Sequence, residues 1–199
     1  MKQFIASLIL FGIISIPTIN LAKQIEPNSV INQKQASKNV KDTIQIALPD
    51  FTLVSLNSGR MTSGDFINLN EKTLIIAFSG YIKGIPLSEI KTIKFQSGVL
   101  IPMNNNVICT ERESNCRKFP EKARPTEGQQ TWLDIPLTAL RLTPGAKTAS
   151  LNLQDILSDE KWQNLINQSQ DMIYIIDQID IAESGSKLTI KATPIARTK

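Results

Sequence analysis

A chain of 199 residues, 41% apolar and 20% charged, has room for one domain or two small ones and is too apolar to be disordered throughout. Its formal charge of +4 is well mixed, with no block of like charges, so nothing in it calls for nucleic acid as a partner. With no histidine, a Ser-His-Asp or Cys-His nucleophile and a His-ligated zinc site are excluded, and two cysteines are too few for a Cys-based structural zinc.

Residues 1–22 read as a signal peptide. Lys2 gives a short positive start, and residues 4–16 (FIASLILFGIISI) form an uncharged apolar run of thirteen residues that Pro17 ends. That length fits a signal-peptide core and falls short of the ~20 residues needed to span a bilayer. Cleavage is expected after Ala22, leaving 21 Lys plus Arg against 18 Asp plus Glu, a net +3. The alternative is an uncleaved segment, in which residues 4–19 contact the membrane. Both readings place the chain outside the cytoplasm, in the periplasm or the extracellular space. Residues 23–42 are rich in Lys, Gln, Asn and Ser with isolated Ile and Val, the composition of a flexible polar spacer.

The expected fold is mainly β: an antiparallel meander or small barrel-like sheet, one α-helix in the carboxy-terminal half and a final β-hairpin. A β-rich domain over residues 43–126 begins with short strands on either side of Pro49-Asp50. Asn57-Ser58-Gly59-Arg60 reads as a hairpin connection, Gly64 as a bulge or sharp bend, and residues 73–78 (TLIIAF) as a central strand. A short helical turn is expected around residues 87–90, then a strand to Phe95. This rhythm over residues 51–95 resembles Sm-like and SH3-like small barrels. The Asp, Asn and Arg-Gly signature by which Sm proteins hold RNA is not matched, so the resemblance implies a fold and carries no function.

Residues 98–103 and 107–110 read as strands around a turn at Asn104-Asn105-Asn106. Cys109 and Cys116 flank six residues in CTERESNC, and in an exported chain two such cysteines read as a disulfide pinning a charged loop that contains Arg112. Residues 117–130, polar and carrying two prolines, read as a linker. Residues 127–199 form a strand-helix-hairpin segment packed on the same domain. Ile135-Pro136-Leu137-Thr138 echoes Ile85-Pro86-Leu87-Ser88, read here as chance. A helix is expected over residues 153–170, with Ile156, Leu157, Trp162, Leu165 and Ile166 on one face. In the closing hairpin, Ile173, Ile175, Ile179 and Ile181 are placed on one face, interrupted by Asp177.

The chemistry is sparse. Ser88-Glu89-Ile90-Lys91 and Ser184-Gly185-Ser186-Lys187 match Ser-x-x-Lys without the companion motifs of penicillin-binding enzymes. Asp177 and Asp180 are carboxylates in an apolar strand; three positions apart, they should face opposite sides, and Asp177 should need a Lys or Arg partner. Trp132, Asp177 and Arg112 are the candidate ligand contacts. No catalytic residue, cofactor or metal site is identified. The reading is an exported, non-catalytic binding protein of the envelope or extracellular space, its partner an unknown protein or an envelope polymer. The alternatives are a glycan-acting hydrolase using carboxylates and a membrane-tethered envelope or secretion component.

Overall fold

Alternating and continuous runs of Ile, Val, Leu and Thr become strands throughout the computed structural model, which describes residues 43–103, 115–124, 128–142, 147–154 and 156–196. In chain order these are β1 (Ile44–Ala47), β2 (Phe51–Leu56), β3 (Met61–Leu69), β4 (Thr73–Phe78), β5 (Tyr81–Pro86) and β6 (Ile90–Gln96). There follow β7 (Val99–Pro102), β8 (Cys116–Phe119), β9 (Gln130–Pro136), β10 (Leu140–Leu142) and β11 (Thr148–Leu151). The helix α1 (Asp159–Ser169) precedes the closing pair β12 (Met172–Ala182) and β13 (Lys187–Ala196). The protein is mainly β, with a curled mixed sheet, one helix in its second half and a final strand pair, as the patterning predicts.

The stretch from β2 to β6 is a meander that returns on itself. Gly59, at φ +81°, turns β2 into β3, and Ser79 and Gly80, both at positive φ, make the tight turn from β4 to β5 that suits a right-twisted hairpin. A 3-10 turn, Leu87–Glu89, then swings the chain so that β6 pairs with β2, Thr52 opposite Phe95 and Val54 opposite Ile93. Gly64 is not the bulge. It pairs in register with Thr52, and the irregularity falls between Phe66 and Asn68. Glycine is required at 64 by proximity: a Cβ there would lie 2.5 Å from the Ala77 carbonyl oxygen.

β12 organises the rest. Along one side it pairs with β13 throughout; along the other it pairs in parallel with β1 through Tyr174 and Ile175, and antiparallel with β6 through residues 178–180. The sheet forks between these two partners, and a bulge between Ile176 and Gln178 sits at the fork. The bulge also changes which face each residue meets. Tyr174, Ile176 and Ile179 enter the main core, whereas Ile173 and Ile175 join Ala47, Val99, Ile101 and Ile195 in a second cluster. The single isoleucine face expected from strict alternation is therefore two faces.

That second cluster is closed by a segment expected to be linker. β8 pairs with β7, Leu100 opposite Lys118, and Phe119 packs on the cluster while the Arg117 guanidinium lies 5.1 Å from its ring. A 3-10 turn, Glu121–Ala123, follows. The partner expected for β7, residues 107–110, and the turns at 104–106 and 143–145 lie outside the described residues.

α1 is shorter than its periodicity. Ahead of it the Ile156 and Leu157 amides donate to the Leu153 carbonyl, and the helix starts after Ser158. Asp159 and Glu160 occupy its first turn, where the helix dipole favours acid. Trp162 is fully buried against the main core, with Leu165 and Ile166 beside it. The tetrapeptide echo has a local structure in common: Pro86 and Pro136 each end a strand, and a 3-10 turn follows each. Strands from residues 43–126 and from 127–199 join one sheet through β1–β12, β6–β12 and β1–β11.

Candidate functional site

A groove of about 440 Å³ lies between β9 and α1, within the size range of ligand sites. Trp132 and Ile135 of β9, with Leu153, Ile156 and Leu157 of the preceding turn and Leu165 of α1, make its apolar lining. Gln130, Thr131, Lys161, Asn164 and Gln168 supply polar groups, and Leu133 stands at the edge, 62% exposed. Among the described residues of this lining Lys161 is the one that is charged, and none is a carboxylate.

Trp132 ties the groove to the core. Its ring meets Tyr174 edge to face, 5.2 Å between centroids, and the residue is only 5% exposed. Yet its indole Nε1–H has no hydrogen-bond partner among the described residues. A buried donor left unpaired is costly, and here it lies behind the groove wall, closed to solvent. Beside it, burial raises the Tyr174 phenol above its ordinary pKa.

Asp177 occupies a different place, at the β12 bulge. Arg124 Nη1 donates to its Oδ1 at 3.1 Å, and the Thr193 hydroxyl donates to its Oδ2 at 2.6 Å. The same guanidinium donates through Nη2 to the Ser97 carbonyl at 2.7 Å, joining the end of β6 to β12. Asp177 thus has the cationic partner that its apolar strand requires. Asp180 accepts from Thr92 and Gln178 and pairs with Lys191 at 3.5 Å. Thr193 and Lys191 are alternate residues of β13 and share a face, so the bulge brings Asp177 and Asp180 to one side of the sheet rather than opposite sides. Each carboxylate is taken up by its own structural partners.

Of the residues singled out from sequence, Trp132 lines the groove and Asp177 holds the fork; they belong to separate features. Cys116 opens β8, whereas Cys109 and Arg112 lie outside the described residues, as do residues 1–22, expected to be a signal peptide, and 23–42, expected to be a spacer. The second Ser-x-x-Lys lies in the turn before β13, where Glu183 binds Lys187 at 2.6 Å and raises its pKa. Sequence reasoning missed Lys161, Asn164 and Gln168. Their i, i+3, i+7 spacing was visible, but only the fold shows that this stripe faces a strand. It also missed Arg124, hidden in a polar stretch. Comparison with protein-family models, with curated proteins and with solved structures yields no match.

Proposed function

We propose that the chain is an exported, non-catalytic binding protein of the cell envelope or extracellular space, and that its binding site is the groove between β9 and α1. The observation that carries this reading is an open apolar groove of ligand size, walled by Trp132, Ile135 and Leu165, with a polar rim that includes Lys161. Export is supported by the apolar run at residues 4–16 and by two cysteines spaced for a bridge, Cys109 to Cys116. The partner class is a protein or polymer of the envelope.

The test compares envelope fractions passed over immobilised wild-type protein and over a Leu133→Arg, Leu165→Asp variant, after both are shown to melt alike. A component retained by the wild type and lost by the variant supports the reading. Equal retention by both, or none by either, overturns the groove as the site. Mass determination of the exported chain should give an amino terminus at Lys23; an intact residue 1 overturns cleavage and favours the tethered form.

A further inference from the structure

We propose that the occupant of this groove is an extended polypeptide segment, added as a strand along the free edge of β9 and carrying an acidic side chain to Lys161. The proposal rests on the groove being the binding site. β9 pairs only with β13 among the described strands, and among the described residues no turn or loop makes a backbone hydrogen bond to residues 130–133. Four consecutive residues, Gln130, Thr131, Trp132 and Leu133, line the groove. Side chains on one face of a strand alternate, so a consecutive run means that the groove follows the strand's edge, where amide and carbonyl groups point outward.

The opposite wall matches in length. Lys161, Asn164, Leu165 and Gln168 form one stripe of α1, spanning ~10 Å at the helical rise, and residues 130–133 span ~10 Å at the strand rise. An extended segment between them satisfies the edge through its own backbone and meets side-chain amides on the helix side. A lipid chain would fill the apolar volume but leave the strand edge unpaired. A bulge limits the register: Leu133 and Asp134 together oppose Thr189, and Asp134 sits at φ 53°, so the straight edge ends there. Among the described lining residues Lys161 is the lone charge and none is an acid, so an acidic segment is preferred over a basic one.

The full chain is titrated with a Val-Glu alternating decapeptide, its Val-Lys counterpart, the Val-Glu peptide methylated at alternate backbone nitrogens, and dodecanoate, with amide hydrogen exchange as a second readout. The Val-Glu peptide is expected to bind about ten-fold more tightly than Val-Lys, and Lys161→Ala to erase that difference. Exchange in residues 130–133 should slow about ten-fold on binding, and the methylated peptide should bind no better than Val-Lys. Peptide binding without slowed exchange there overturns strand addition, as does failure of both unmethylated peptides to bind. Dodecanoate binding alone overturns strand addition and leaves the groove a binding site; no binding by any probe, with no groove-dependent envelope partner, overturns both.

Discussion

Arg124 and Asp177 meet at 3.1 Å across the point where the sheet divides, and the same arginine reaches the Ser97 carbonyl. The arginine side chain is 9% exposed and the aspartate 25%, so both charges are largely removed from water. Removing one partner leaves the other largely buried without its opposite charge. Asp177→Ala is therefore expected to destabilise by about 3 kcal/mol in urea unfolding, while the double replacement Arg124→Leu, Asp177→Leu costs less than either alanine change alone. Equal costs would place the stability elsewhere.

Gly64 and Gly59 should respond differently to alanine. At Gly64 the new methyl meets the Ala77 carbonyl at 2.5 Å inside the β3–β4 ladder, so β4 must shift, at about 1–3 kcal/mol. At Gly59 nothing lies within 4 Å, and the cost is backbone strain at φ +81°, about 1–2 kcal/mol. Asparagine, which tolerates that conformation, should recover most of the loss at 59 and none at 64. Thermal melts of the four variants check this.

Where periodicity held over a whole element, the sequence was a sound guide: the β2–β6 meander, the helical face around Trp162, and the pairing of β12 with β13 were all legible. Strict alternation failed at Asp177 because a bulge adds one residue without leaving a mark in composition. The run from 117 to 130 reads as polar linker because β8 is exposed on one side, and Phe119 alone betrays its buried face. The groove was half legible. Trp132 stands out by type, but its free donor and the helix stripe opposite arise only when β9 and α1, more than twenty residues apart in sequence, are brought together.

Tyr174 predicts an alkaline limit. Burial raises its pKa above the ordinary 10.0, so the folded state holds the phenolic proton more tightly than the unfolded chain. Its contribution is complete below that ordinary value and is lost as pH rises through the folded value. Stability measured at about pH 11 should fall below that at about pH 8, and Tyr174→Phe should shrink the difference while keeping the ring against Trp132. A fall of unchanged size in the variant would assign the alkaline loss to other groups.

The proposed bridge between Cys109 and Cys116 should act locally. Closing so short a loop is worth about 2.5 kcal/mol on the chain-entropy account. Cys116 opens β8, which with β7 covers the second cluster and not the main core. Reduction is expected to speed amide exchange in β7 and β8 while leaving β2 to β6 protected. Labelling the unreduced protein should find no accessible thiol; two labelled cysteines refute the bridge.

Trp132→Phe separates packing from recognition. Phenylalanine keeps an aromatic edge for Tyr174 but removes the indole Nε1–H, a buried donor with no partner among the described residues. The loss of ring volume opposes stability and the removal of the unpaired donor favours it, so the net change in unfolding free energy should stay within about 1.5 kcal/mol. Ligand affinity has no such offset where binding opens the groove wall to the indole, because the acceptor then loses its hydrogen bond in the variant. A fall of about five- to ten-fold is expected, corresponding to about 1–1.4 kcal/mol for that bond. Calorimetric titration with the groove's ligand measures it. Unchanged affinity beside unchanged stability would mean that no acceptor visits this donor, and that the groove is filled by apolar contact alone.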